Sequence, residues 1–144
     1  MRILTDVFIP DEGPSGIGIV ATNAPSTSVG GIYQQAVGDP EELRLRSVLR
    51  ALQFGKDLNA ERICILCPDE VTVKLVNREM PLEPGSPLAL LYIKIRALIY
   101  TYSQAEVRAV PRARVRPARR LAIAASRMPV RSSNPQRELF AAAG

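Results

Sequence analysis

The chain has 144 residues, 47% of them hydrophobic and 23% charged, with a formal net charge of +5. That length and apolar content suit one domain with a buried core and exclude two of ordinary size. There is no histidine and there are only two cysteines, which excludes Ser-His and Cys-His nucleophilic machinery and a four-ligand zinc site.

In chain order, Arg2 to Ile9 reads as a strand closed by Pro10, and Asp11 to Gly16 as a turn rich in breakers. Ile17 to Thr22 supplies the hairpin partner, Asn23 to Ser28 a polar loop, and Gly30 to Val37 the third strand of a meander. Asp39-Pro40-Glu41-Glu42 then opens a helix, with Asp39 as N-cap, Pro40 in the first turn and Glu42 placed to close a capping box. Its apolar face runs through Leu43, Leu45, Val48, Leu49, Ala51, Leu52 and Phe54 to Gly55, with Arg44, Arg46 and Arg50 on the polar side.

Arg62 to Leu66 is apolar at nearly every position, as a central strand covered on both faces must be. Cys64 and Cys67, three residues apart on it, point to opposite faces and read as core residues. Asp69 reads as the N-cap of a helix over Val71 to Asn77. A proline-rich connection follows, then a very apolar helix from Leu88 to Thr101, on or near which Tyr92, Tyr100 and Tyr102 read as packing residues. Ala105 to Val110 is a fifth strand, followed by a short turn and a last helix from about Arg116 to Met128.

Basic charge collects at this end. Arg108, Arg112, Arg114, Arg116, Arg119, Arg120, Arg127, Arg131 and Arg137 face only Glu106 and Glu138, an asymmetry that points to a polyanionic partner or, on the bland alternative, to solvated arginines alone. No long apolar run opens the chain or interrupts it, so neither a signal peptide nor a membrane span is expected, and the location is cytoplasmic. Residues 1–128 are expected to form the domain and 129–144 an exposed tail rich in Pro, Ser and small residues.

Val110-Pro111-Arg112 ending a strand, a short linker and Ala118-Arg119-Arg120-Leu121-Ala122 opening a helix resemble the last signature of the type-one, reverse-transcriptase-like ribonuclease H family. Asp6 on the first strand and Gly13-Pro14-Ser15-Gly16-Ile17-Gly18 after it are similar to that family's first signature, and Val71 to Asn77 matches its helix after the fourth strand. The resemblance implies an α/β, three-layer ribonuclease H-like fold: a mixed five-stranded sheet, first three strands antiparallel, helices on both faces. The alternation of elements fits this independently.

The resemblance also implies four carboxylates holding two divalent ions for hydrolysis. Here Val115 falls where an Asn is expected, Arg119 where a metal-binding Asp is expected, and Arg44 where the helix Glu is expected. The third ligand falls on Pro68 or on Asp69, depending on the direction of counting. Val7 and Phe8 replace the small residues that follow the first Asp.

Three readings follow. The first is a catalytically inactive domain, without cofactor, that binds a nucleic acid hybrid or duplex, or an associated protein, through Arg112, Arg114, Arg116 and Arg120. In it Arg44 and Arg119 form ion pairs with the remnants Asp6 and Asp69. The second is a structural module that self-associates, as a homodimer for example, through the apolar helix at Leu88 to Ile99. The third is a nuclease dependent on Mg or Mn with ligands relocated to Asp6, Glu42 and Asp69. In the tail, Gln136, Leu139 and Phe140 are similar to the short peptide by which bacterial proteins dock on the DNA sliding clamp, with a final turn folding back on the domain as the alternative.

Overall fold

Residues 1–23 and 28–129 are described by the computed structural model. Their elements are β1 (Arg2–Phe8), β2 (Ser15–Thr22), β3 (Ser28–Ala36), α1 (Pro40–Asp57), β4 (Arg62–Cys67), α2 (Glu70–Val76), α3 (Ala89–Ile99), β5 (Gln104–Ala109), a 3-10 turn (Arg112–Val115) and α4 (Arg116–Ser126). Every strand and helix expected from the sequence is present, with its ends shifted by no more than two residues. The segment carrying Gln136, Leu139 and Phe140 lies outside the described residues.

The strand order is β3-β2-β1-β4-β5. β1 pairs antiparallel with β2 and β2 with β3, whereas β4 runs parallel to β1 and to β5. Helices cover both faces. Ile3 and Val7 of β1 join Ile17 and Ile19 of β2 and Leu43, Val48 and Leu52 of α1 in the larger core, while Leu4, Val20 and Leu66 meet Val115 and Ala118 in a smaller core beneath α4. Alternation along the strand therefore sends Leu4, Asp6 and Phe8 to the α4 side. Cys67 lies in the first core and Cys64 packs against the second, on opposite faces as their spacing requires.

The glycines of the first signature have a packing reason. A Cβ on Gly16 would stand 1.8 Å from the Ala122 carbonyl oxygen, and one on Gly18 would stand 1.9 Å from that of Ala118. The backbone of α4 thus rests directly on that of β2. Ala118, Ala122 and Ala125, all fully buried, give α4 a face flat enough for this approach, and Gln35 holds the far end by donating to the carbonyls of Ala125 and Met128.

Three local expectations change. Asp39 is the N-cap of α1, but its side chain makes no capping hydrogen bond. Glu42 instead pairs with Arg46 one turn along, at 2.7 Å, because a charged guanidinium is a stronger donor than a backbone amide. The apolar content of α3 is only partly core content: Leu91, Tyr92, Leu98 and Ile99 pack half-buried against the larger core. Ile95 is its one buried residue, with Leu90 63% and Ile93 60% exposed, since α3 packs mainly against α1 and only in smaller part against α2. Tyr102 is buried and donates to the Leu52 carbonyl, whereas Tyr100, 67% exposed, is not a packing residue.

Candidate functional site

β1, β4 and β5 are parallel, so their C-terminal ends, Phe8, Cys67 and Ala109, lie along one end of the sheet. Parallel strands place the chain's exits and loops together at that end, which is where α/β proteins assemble their sites. Asp6 sits there, 3% exposed. One carboxylate oxygen, Oδ1, accepts from the Val7 amide at 2.8 Å. The other, Oδ2, lies 3.4 Å from Arg112 Nε and 3.5 Å from Arg119 Nη1.

The two arginines arrive by different routes. After β5 the chain passes Pro111 and curls into the 3-10 turn, pinned by the fully buried Val115. That curl brings Arg112 over the end of β1. Arg119 stands on the first turn of α4, next to the inward-facing Ala118, and its guanidinium also lies 5.4 Å from the Phe8 ring centre, within cation-π range. Phe8 therefore helps to hold the Arg119 cation.

Arg44 of α1, expected to pair with Asp6 or Asp69, forms no salt bridge among the described residues and only lines the space beside them. With Ser47, Cys67, Pro68, Asp69 and Arg112 it lines a cleft at Asp6 of about 10 Å³, about the least that a single water needs. Asp69 is engaged elsewhere. Its Oδ2 accepts from the Thr72 amide at 3.1 Å and from the Thr72 hydroxyl, so it caps α2. The ion pairs thus converge on Asp6 alone, from Arg112 and Arg119. Arg112, read from the sequence as a surface contact, reaches Asp6 only because the 3-10 turn folds it back, and no local pattern marks such a turn. Burial pushes the Cys67 thiol up to about 12, so it is protonated at neutral pH and is no nucleophile.

Arg112, Arg114, Arg116 and Arg120 are all exposed on the 3-10 turn and the first turns of α4, while Val115, Ala118 and Ala122 turn inward. With Arg119, three arginines, Arg116, Arg119 and Arg120, stand at the start of a helix with no acid in its first turn. There the peptide dipoles favour anions and cost each cation about 0.3–1 kcal/mol.

The donor set does not suit a divalent ion. Asp6 is flanked by two guanidiniums and Asp69 is committed to Thr72. Glu42 is paired with Arg46 and lines a separate cleft with Asp39, Glu41 and Glu83. No group of three or more acids, cysteines or histidines with metal-binding geometry occurs among the described residues.

The sequence profile of the family described as reverse transcriptase-like matches residues 5–125. The chain belongs to that family. Among curated proteins none matches by sequence. Of solved structures, ribonuclease H1 of the archaeon Halobacterium salinarum is similar with a TM-score of 0.79 and 17% identity, over 86% of this chain and 95% of that one. The N-terminal ribonuclease H domain of a Mycobacterium tuberculosis protein gives 0.77 and 23%, over 88% and 99%. A ribonuclease H1 isolated from compost by a metagenomic approach, solved with an RNA/DNA hybrid, gives 0.69 and 19%, over 87% and 95%. At these identities the likeness is one of fold. The reverse transcriptase-like domain of this chain has the mixed sheet and helices on both faces that the resemblance implied, and none of its described helices is long and apolar enough to cross a membrane.

Proposed function

We propose that this reverse transcriptase-like domain is a catalytically silent ribonuclease H-like module that binds nucleic acid, a hybrid or a duplex, through Arg112, Arg114, Arg116 and Arg120. The observation that carries the reading is the closure of Arg112 and Arg119 on Asp6. Two-metal hydrolysis needs carboxylates free to take up cations about 4 Å apart. Here the most buried acid of the site already has two guanidiniums within 3.5 Å of one carboxylate oxygen. Binding needs no such chemistry. Exposed guanidiniums along the 3-10 turn and the start of α4 offer contacts to a polyanion, and phosphate contacts alone supply affinity that falls with salt. Related proteins support this choice of partner, since one ribonuclease H1 was solved with an RNA/DNA hybrid and a foamy virus protease-reverse transcriptase with double-stranded DNA.

Two measurements test it. Labelled hybrid should be cleaved no faster by the protein than by Asp6→Asn, in magnesium or in manganese; cleavage lost in the variant refutes silence and favours a nuclease with relocated ligands. Duplex affinity should fall steeply with salt, and Arg114→Glu with Arg116→Glu should lower the slope of log K against log salt by about 2, at about 0.9 per phosphate contact. An unchanged slope refutes the assigned face.

The exposed Leu90 and Ile93 favour a second reading, self-association through α3. A concentration-dependent mass in light scattering that Ile93→Glu abolishes would support it. Docking on a sliding clamp through Gln136, Leu139 and Phe140 is a separate proposal, checked by binding to purified clamp and its loss in Phe140→Ala.

A further inference from the structure

We propose that Arg78, Arg96 and Tyr100, where the end of α2 meets the end of α3, form a second anion site that takes a phosphate group. It shares no residue with the arginine face of α4 and does not rest on that reading.

The first observation is a backbone conformation. α1 and α2 both finish in the same hydrogen-bonded wrap, in which two amides turn back to the last carbonyls: Asn59 to Lys56 and Ala60 to Gly55 in α1, Arg78 to Leu75 and Glu79 to Lys74 in α2. That wrap puts the residue after the C-cap in the left-handed region, where glycine or asparagine is favoured. α1 follows the rule with Asn59 at φ 58°; α2 places Arg78 there at φ 60°. A long β-carbon-bearing side chain at such a position is disfavoured by the fold itself, and outliers of this kind concentrate at functional sites.

The second is where that side chain goes. Arg78 Nη2 donates to the Tyr100 hydroxyl at 3.2 Å, and Arg96 Nη2 donates to the same oxygen at 3.2 Å. Arg96 is fixed from below, with Nη1 on the Val76 carbonyl at 3.0 Å and its guanidinium 5.3 Å from the Tyr100 ring centre. Among the described residues no carboxylate pairs with either arginine, and Arg96 Nε is buried without a partner. Two cations therefore converge on one neutral oxygen, with more N–H donors than acceptors, on an exposed residue. The hydrogen bond from Arg96, and next the charge of Arg78, hold the Tyr100 phenol below its usual pKa, as a site of positive potential does.

An arriving phosphate oxygen meets two guanidiniums held in place and a phenol that can donate its own proton in a hydrogen bond. Planar guanidiniums suit phosphate better than halide because they bind two oxygens at once.

The test is calorimetric titration of the whole chain with sodium phosphate against sodium chloride at equal ionic strength. Saturable binding of phosphate, weakened about tenfold or more in Arg78→Gly and in Arg96→Gln, supports the site. Arg78→Gly suits the left-handed backbone, so its unfolding midpoint should not fall. No saturable binding by the parent, or equal binding by Arg78→Gly, overturns the proposal. Duplex titration with Arg78→Gly distinguishes the source once phosphate binds: a salt slope lower by about 0.9 assigns the site to the nucleic acid backbone, an unchanged slope to a free phosphate compound.

Discussion

Replacing Asp6 by Asn decides between an ion-pair cluster and a vacated metal centre, because the two give opposite signs. In a cluster of acids without its metal, losing one charge relieves repulsion and stabilises the fold. Here Asp6 Oδ2 lies 3.4 Å and 3.5 Å from two guanidinium nitrogens, each worth about 5 kcal/mol gross at an effective dielectric near 20. Desolvation of the buried carboxylate offsets most of that gain. Solvent reduces the remainder, since the Arg112 and Arg119 side chains are 54% and 33% exposed. The net loss expected in Asp6→Asn is about 1–3 kcal/mol. The chain has no tryptophan, so the assay is urea unfolding followed by far-ultraviolet circular dichroism. Arg119→Gln should lose a similar amount, and the double variant should fall short of additivity by about 1 kcal/mol, as residues in contact do. An Asp6→Asn protein as stable as its parent, or more so, would refute the ion-pair reading. A magnesium-dependent rise in the parent's midpoint that the variant lacks would refute it equally.

Gly18→Ala should cost about 3 kcal/mol in the same unfolding experiment, because the new methyl would stand 1.9 Å from the Ala118 carbonyl and α4 must lift off β2; a change under about 0.5 kcal/mol would contradict the packing account. Asp69→Ala should lose about 1 kcal/mol, the usual cost of an N-cap, and magnesium should leave that loss unchanged if Asp69 is a cap rather than a ligand. Tyr102 predicts an alkaline limit. Burial pushes its phenol up from 10 to about 12, so its contribution is present below pH 10 and is lost as pH rises towards 12. Tyr102→Phe should flatten the fall of stability in that window without abolishing it, since burial of Cys67 raises its thiol from 9.0 to about 12 and acts in the same direction.

The order of strands and helices was legible because each element carries its own period and stops, from the continuous apolar run of β4 to Asp39-Pro40 before α1. The positions of Asp6, Arg44 and Arg119 followed from counting along those elements. What was not legible depends on contacts between elements. Glu42 has the spacing of a capping box and equally the spacing of an ion pair with Arg46, and only the side-chain geometry separates the two. The exposed side of α3 could not be told from a buried one, since apolar content says that a face is apolar and not whether anything covers it. Arg112 reached Asp6 through a turn of four residues with no periodicity to read.

The glycines and the acids of the family pattern answer to different forces, and this chain separates them. Gly16 and Gly18 are required by the backbone contact between β2 and α4 whatever happens at the strand ends, and so are the inward alanines of α4. The acids Asp6 and Asp69 are held instead by ion pairs and a helix cap. Once a cation stands at Arg119, α4 keeps its seat because its buried face is untouched, and Asp6 is compensated from the helix itself at 3.5 Å. The seat of α4 on β2 therefore does not depend on which charges stand at the strand ends. Arg116 and Arg120, on the exposed side of the same helix start, add charge that the seat does not need.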